Sequence, residues 1–146
     1  MKINFRPLDI QADWGWVSQY VECKLCQDTR GIVAERDGEI QGAVVLDSWS
    51  YTGVQVHLAA PNPMVWRHGL HKEVFEYVFE TCDRLYIMGM TPADNADAIR
   101  FNKHIGFSPV YVVRDGFKAG VDLILFEMRR EDCRYLERNK QKSEAA

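Results

Sequence analysis

The sequence contains no long hydrophobic run and no excess of basic residues. No segment reaches 18 consecutive apolar residues, so nothing in it predicts a membrane span. The 18 Lys and Arg against 21 Asp and Glu give a net charge of −3, without the basic stripe of a general nucleic-acid binder. The segment Met1 to Arg6 lacks the apolar core and small-residue cleavage site of a secretory signal. We therefore expect a cytoplasmic protein that binds neither nucleic acid nor membrane.

The spacing of the cysteines does not define a metal site. The chain has four cysteines, and without a secretory signal we do not expect disulfides. Cys23 and Cys26 form a CxxC pair, but a zinc site needs a second pair or two suitably spaced histidines. We therefore predict packed or partly exposed thiols and no metal. A zinc-dependent module built on Cys23 and Cys26 is the weaker alternative.

What the chain does contain is enough apolar sequence for one full core. Its 146 residues suit a single domain, and 47% apolar with 27% charged residues provide both a core and a hydrated surface. We assign residues 1–136 to this domain. The last ten residues, 137–146, are mostly polar, and we predict a disordered tail there.

The pattern of apolar residues and turn signals predicts a mixed α/β order of elements. A first strand and a helix are followed by three strands, and Asp37-Gly38 is typical of a hairpin turn between two of them. A helix, a strand, a second helix and a closing hairpin complete the order, which indicates a mixed sheet with helices packed on it. The predicted strands are Ile3–Leu8, Gly31–Arg36, Ile40–Trp49, Val54–Ala60, Arg84–Met90, Phe107–Arg114 and Val121–Met128, and the principal helices are Trp14–Val21, Gly69–Cys82 and Asn95–His104.

One segment makes this order more specific. Residues 95–107 read NADAIRFNKHIGF, which resembles the pattern N-x-x-A-x-x-hydrophobic-Y-x-K-x-G-F of the GNAT family of N-acetyltransferases. Asn95 can cap the helix, and Ala98 allows close packing against the sheet. Gly106 can end the helix in the left-handed region, and Phe107 can begin the next strand in the core. The resemblance covers roughly residues 3–129. It implies a mostly antiparallel central sheet with helices on both faces.

The resemblance also implies acetyl-CoA as co-substrate. The family holds its pyrophosphate with a Q/R-x-x-G-x-G/A loop, where free backbone N–H groups at a helix start bind the anion. In the corresponding stretch, Pro63 to His71, only Gly69 matches, and Trp66 and His71 replace the expected residues. Arg67, His68 and Lys72 could supply positive charge. The implied cofactor-binding residues are Ala59, Ala60, Arg67, His68, Gly69, Leu70, His71, Asn95 and Asn102.

The implied catalytic residues depart further from the family. The Tyr that often protonates the leaving thiolate is replaced by Asn102, and an amide cannot deliver that proton. Tyr111 on the next strand is a substitute candidate. As general base for the amine we predict His57 on the central strand or Asp47 on the strand before it. Pro61 and Pro63 lack N–H groups, which removes hydrogen-bond donors near the end of the central strand.

Two functions remain open. The first is an acyl-CoA-dependent N-acetyltransferase that acts on a primary amine of a small molecule or a protein. The alternative is a non-catalytic interaction protein on the same fold, such as a phage assembly or host-modulating factor. Tailed phages encode small GNAT-like proteins with degenerate cofactor loops, and this chain is similar to them in general character, which would place it in the host cytoplasm. Family members often pair through sheet edges or the final hairpin, so the resemblance also implies a homodimer.

Overall fold

Seven strands form one sheet in the order β1-β2-β3-β4-β5-β7-β6 in the computed structural model, which describes residues 2–140. Every neighbouring pair is antiparallel except β4–β5, so the predicted mixed, mostly antiparallel sheet is confirmed. The strands are β1 (Asn4–Pro7), β2 (Arg30–Arg36), β3 (Glu39–Asp47), β4 (Gly53–Ala59), β5 (Tyr86–Pro92), β6 (Ser108–Lys118) and β7 (Val121–Arg129).

Helices cover both faces of the sheet because alternate strand residues point to opposite sides. On one face, Val33, Ala43 and Val45 pack with Val17 of helix α1 (Ile10–Val17). On the other face, Val44 and its neighbours pack with the remaining helices in the larger core cluster. These helices are α2 (Met64–Arg67), α3 (Leu70–Glu76) and α4 (Ala96–Ile105). We call the two sides the α1 face and the α3 face. Among residues 2–140, no helix is long and apolar enough to cross a membrane.

Helix α1 is fixed to the sheet by a buried carboxylate. Asp13 is 2% exposed, and its oxygens accept hydrogen bonds from the Arg6 guanidinium at 2.7 and 2.9 Å. Arg6 also donates to Glu35 on the neighbouring strand at 2.8 Å. The same guanidinium holds the pKa of Asp13 below its usual range. One cation therefore joins α1, β1 and β2.

The helix predicted from Gly69 to Cys82 differs in detail. A separate single turn, α2, precedes it, and α3 ends at Glu76 and continues as a π-helical turn over Tyr77–Thr81. Gly69 joins the two helices with φ +93°, a conformation that L side chains rarely adopt. The chain thus turns sharply where a continuous loop and helix start were expected.

The segment 95–107 forms as predicted. The Asn95 side chain caps α4 by accepting a hydrogen bond from the Ala98 N–H at 3.1 Å. Gly106 ends the helix with φ +110°, and Phe107 is 8% exposed in the core. Each of these three residues therefore has the structural role that its position in the motif indicates.

The described chain continues past residue 136, the predicted domain boundary. Residues 137–140 are helical. Arg138 forms an ion pair with Glu80 at 2.8 Å, and the Asn139 amide donates to the carbonyls of Arg130 and Cys133. The rest of the predicted tail, 141–146, lies outside the described residues.

Candidate active site in the split between β4 and β5

The sheet opens between its two parallel strands. Strands β4 and β5 pair over only three positions, Gly53–Gln55 with Tyr86–Met88. The following residues, 56–59 of β4 and 89–92 of β5, form no ladder pairs with each other, although both strands continue. Successive peptide groups of a strand point alternately to its two neighbours. Some backbone groups of residues 56–59 therefore face an open cleft and lack a strand partner there.

The cleft holds a cavity of about 580 Å³. Its α1-face lining includes Tyr20, Glu22 and His57, and its α3-face lining includes Trp66 and His71. Strand residues from both sides of the opening, Val56, Leu58, Gly89, Met90 and Thr91, line it in between. The cleft is thus open to ligands from both faces of the sheet.

A histidine–carboxylate pair occupies the α1 face. The His57 Nε2 atom lies 3.0 Å from both Asp47 carboxylate oxygens. Their side chains are 20% and 7% exposed, respectively. Because Nε2 faces a carboxylate, we assign its proton to that nitrogen, which leaves the Nδ1 lone pair available. The structure therefore brings together the two residues predicted as alternative bases.

Strand register explains this meeting. His57 is opposite Val45 and Asp47 is opposite Gln55 in the β3–β4 ladder, so His57 and Asp47 are diagonal neighbours on one face. Ten residues of sequence separate them, and only the pairing of the two strands makes them neighbours.

A thiol from the connection between α1 and β2 completes this cluster. Ligand atoms of Cys23, Asp47 and His57 all lie within 4.8 Å of one another. Burial and the Asp47 carboxylate raise the pKa of the Cys23 thiol to about 11. Cys26, the other residue of the CxxC pair, is exposed and takes no part. The fold therefore groups Cys23 with Asp47 and His57, which are distant from it in sequence.

On the α3 face lies the stretch 63–71, which corresponds to the family's phosphate loop in the sequence resemblance. Several of its backbone N–H groups already have partners: Trp66 donates to Pro63, His68 to Met64, and Gly69 to Trp66. The first-turn N–H groups of α3, in residues 70–72, point outward from the helix start as in any α-helix. Fewer free donors therefore remain here than in an open glycine-rich loop.

The His71 ring is packed among aromatic side chains beside this loop. Ring centroids of Tyr135, Phe75 and Trp66 lie 4.7, 6.1 and 6.2 Å from it. Its Nδ1 atom is buried without a hydrogen-bond partner among the described residues. Burial, reinforced by nearby Lys72, lowers the pKa of His71 to about 4. His71 is therefore neutral at pH 7 and contributes shape, not charge.

Positive charge instead surrounds His71. Lys72, Arg134 and His104 lie close enough to lower its pKa further. The Lys72 ammonium lies 5.9 Å from the Tyr135 ring centroid, and the Arg134 guanidinium carbon lies 4.7 Å from the same centroid. Arg67 and His68 are exposed next to them. These residues form a basic rim at the start of α3 that could contact an anionic group.

Asn102, which replaces the family tyrosine, is bonded to the sheet. Its amide donates to the Thr91 hydroxyl at 2.9 Å, and both residues line the cavity. Thr91 is 8% exposed. With its oxygen accepting from Asn102, the Thr91 hydroxyl keeps its own proton for donation into the cleft. Thr91 is not among the residues predicted for the site, because no local sequence pattern marks it.

The remaining predicted site residues lie in three different places. Tyr111 is 65% exposed on the edge strand β6 and is not among the cavity-lining residues. Asn95 lines the cavity, but its side-chain oxygen caps α4. Ala59 and Ala60 lie at the end of β4, buried and half-buried. Pro61 and Pro63 follow the strand, so they remove no N–H group from residues 56–59.

This sheet order, with its single split parallel pair, defines the fold of the GNAT acetyltransferases. No protein-family model matches the sequence, and no curated protein matches it. Among solved structures, a variant of spermidine N-acetyltransferase SpeG from Vibrio cholerae aligns with a TM-score of 0.78 and 14% identity, over 93% of this chain and 97% of that one.

Two other solved structures lead to the same result. A GNAT-family protein of Desulfovibrio desulfuricans aligns with a TM-score of 0.74 and 17% identity, over 88% of this chain and 99% of that one. A dodecameric spermidine N-acetyltransferase from Vibrio cholerae, in an intermediate state, aligns with a TM-score of 0.76 and 15% identity, over 93% of this chain and 97% of that one. Likeness at this level of identity establishes the fold, and function must be argued from this chain's residues.

Proposed function

We propose that this protein is an acyl-CoA-dependent N-acetyltransferase that acetylates a primary amine. The observation that carries the proposal is the split between β4 and β5, because it opens one cavity to both faces and bears a histidine–carboxylate pair on one of them. Such a cleft can bring an amine and an acyl donor together from opposite sides. Proximity and orientation of this kind can supply much of the rate of a two-substrate reaction.

In this proposal the amine enters on the α1 face. The His57 Nδ1 atom accepts the ammonium proton, which frees the nitrogen lone pair for attack on the acyl carbonyl. Asp47, held at 3.0 Å from Nε2, orients the imidazole and stabilises it when it becomes charged. Glu22 is a further carboxylate in the lining on this face, so a cationic amine is favoured over a neutral or acidic acceptor. The SpeG structures are named for spermidine, which is such an amine.

The acyl donor enters on the α3 face. Backbone groups of residues 56–59 without a strand partner can hydrogen-bond its amide-containing arm and polarise the acyl carbonyl. The basic rim, including Arg67 and Lys72, supports binding of its phosphates, together with the free N–H groups at the start of α3. After the carbon–nitrogen bond forms and the carbon–sulfur bond breaks, the Thr91 hydroxyl can hydrogen-bond the departing thiolate.

Calorimetric titration with acetyl-CoA, followed by a thiol-release assay with a panel of amines, tests the proposal. We expect saturable binding and thiol release that depends on the amine, with cationic amines the best acceptors. His57→Gln provides the matched control, because it should bind acetyl-CoA normally and turn over slowly. Absence of binding heat at high micromolar acetyl-CoA would instead support the non-catalytic interaction protein.

We also propose that two copies pair through β6. All eleven residues of this edge strand are exposed, and they include Val110, Tyr111, Val112 and Val113. A long apolar edge with unpaired backbone groups favours pairing with another strand, and a second β6 offers the same surface in antiparallel register. Sedimentation analysis should give a dimer that Val112→Lys dissociates and that Tyr51→Lys, at a 99% exposed site elsewhere, leaves intact. A monomeric wild-type chain would contradict this.

A further inference from the structure

We propose that Cys23, Asp47 and His57 together bind one zinc ion on the α1 face of the cleft. A thiol sulfur, a carboxylate oxygen and an imidazole nitrogen from these residues lie within 4.8 Å of one another. These are the three kinds of side-chain atom that zinc takes as ligands. Three protein ligands with a fourth position left open is also the arrangement found in accessible zinc sites.

The charges of the cluster favour a cation over an empty site. The Asp47 carboxylate is 7% exposed, and it lies beside the half-buried His57 imidazole, which is neutral unless protonated. Binding a divalent ion converts the Cys23 thiol to a thiolate and releases its proton. The thiolate and carboxylate then balance the two positive charges in a place with limited access to water.

The geometry needs only a small adjustment. Zinc–ligand bonds of about 2.0–2.3 Å in a tetrahedron place the ligand atoms about 3.3–3.7 Å apart. The His57 Nε2 and Asp47 oxygens are 3.0 Å apart on two paired strands, so they are already near this spacing. Cys23 lies outside the helices and strands and can supply the remaining movement.

The segment that carries Cys23 is nevertheless held near the strands. After it, the Cys26 N–H donates to the Thr29 hydroxyl at 2.9 Å, and Asp28 accepts from the Trp49 N–H at 3.0 Å, just beyond the end of β3. Cys23 itself packs with the apolar cluster under α1. The thiol is therefore restrained close to Asp47 while its backbone can still adjust.

Zinc at this position would stop the transferase reaction, a consequence that rests on the proposed function. An ion on Nε2 leaves His57 with its remaining proton on Nδ1, so no lone pair is left to accept the ammonium proton. The ion would also occupy the space that the amine approaches. Metal binding itself does not depend on acetyl transfer and can be measured without it.

Cobalt(II) provides the direct test, because thiolate coordination gives it a near-ultraviolet charge-transfer band and tetrahedral coordination gives intense visible bands. The protein is treated with a chelator to remove bound metal, the chelator is removed, and the protein is then titrated with cobalt(II). We expect one equivalent to bind with both signatures and to be displaced by zinc. Cys23→Ser should lose the charge-transfer band and bind at least tenfold more weakly.

Cys26→Ser is the matched control, since this cysteine belongs to the same CxxC pair but lies outside the cluster. It should keep the full spectrum, whereas loss of the band in this variant would assign the metal to the CxxC pair and overturn the proposal. A wild-type chain without the band, or Cys23→Ser that keeps it, would also overturn it. Should Cys23→Ser fail to fold by circular dichroism, His57→Gln serves instead and must lose the intense visible bands.

The two proposals fail in different ways. Cobalt binding without acetyl-CoA binding would leave the metal site standing and remove the transferase. If the protein shows no cobalt bands and micromolar zinc does not reduce its transferase activity, the transferase proposal stands and the metal site is removed. Acetylation of Cys23 in intact-protein mass spectra after incubation with acetyl-CoA would identify a covalent acyl acceptor and contradict the metal assignment.

Discussion

The two faces of the split sheet differ in how far they resemble an acetyltransferase. On the α1 face, polar groups on rigid strands converge: His57 and Asp47 are 3.0 Å apart. On the α3 face, the stretch that corresponds to the family's phosphate loop forms a helical turn, and aromatic side chains pack around His71 beside it. The opening between β4 and β5 is nevertheless intact.

The cleft between β4 and β5 and the stretch 63–71 therefore differ in how closely they match the family pattern. The cleft depends on the divergence of two strands within a large core, which tolerates many sequences. The family loop depends on specific residues at fixed positions, and in the stretch that resembles it Trp66 stands at the Gln or Arg position and His71 at a small-residue position. We therefore expect a chemical step that depends on the α1 face and a cofactor affinity that depends on surface charge on the α3 face.

The largest effect should come from His57→Gln on the α1 face. Glutamine keeps a polar side chain of similar length but cannot accept the ammonium proton. General-base catalysis contributes typically about 10²–10⁴-fold, so we expect kcat to fall by that order. Stopped assays of thiol release with saturating amine measure it, and calorimetry checks that the acetyl-CoA Kd is unchanged. A variant with wild-type kcat would exclude His57 as the base.

The second effect concerns stability and comes from His71 on the α3 face. Its pKa is about 4 in the folded protein and near 6.5 unfolded, so between these values the unfolded chain binds more protons. The free energy of unfolding should therefore be fully maintained above pH 6.5. It should fall by up to about 3 kcal/mol as the pH drops to 4, since each pKa unit corresponds to about 1.4 kcal/mol.

Urea unfolding at several pH values measures this dependence. His71→Phe, which suits the aromatic surroundings, should flatten the curve between pH 6.5 and 4, while His68→Asn at an exposed position should keep the wild-type slope. Protonation of carboxylates such as Asp13 destabilises all three proteins at lower pH. The slopes of the stability curves between pH 6.5 and 4 are therefore compared. Parallel curves for wild type and His71→Phe would show that His71 does not cause the acid sensitivity.

The smallest effect should come from the basic rim. Arg67→Gln combined with Lys72→Gln removes two exposed cations near the start of α3, and we expect the acetyl-CoA Kd to rise about tenfold, or about 1.4 kcal/mol. The increase should shrink at high salt because exposed charges are screened. Lys118→Gln on the final hairpin is the control. A Kd unaffected by the double substitution would place the phosphates elsewhere.

Local sequence was sufficient for the elements whose causes are local. Asn95 as cap and Gly106 as left-handed helix end follow from their residue types, and the structure has both. The apolar periodicity likewise located the strands to within a few residues. The segment around Gly69 was predicted less well: the sequence predicts a helix that begins at Gly69, whereas this residue, with positive φ, joins two helical segments.

Only part of the candidate site could be predicted from the sequence. The sequence predicts His57 or Asp47 as the base without showing that the two meet, and it predicts Tyr111 as a substitute acid although Tyr111 lies exposed on the edge strand. Thr91 drew no attention, because its importance comes from a hydrogen bond to Asn102 on a different element. Residues on separate strands and helices carry no spacing signal that tells which of them will meet.

The sequence by itself determined the order of elements, because hydrophobic periodicity, caps and turn residues act over a few positions. The GNAT-like fold was implied by the resemblance of residues 95–107 to the family motif. The tertiary structure alone decided where β4 leaves β5 and which side chains face the opening. Strand register placed His57 beside Asp47, and the connection after α1 brought Cys23 to both. Those contacts depend on how distant segments pack, and packing is a property of the whole core.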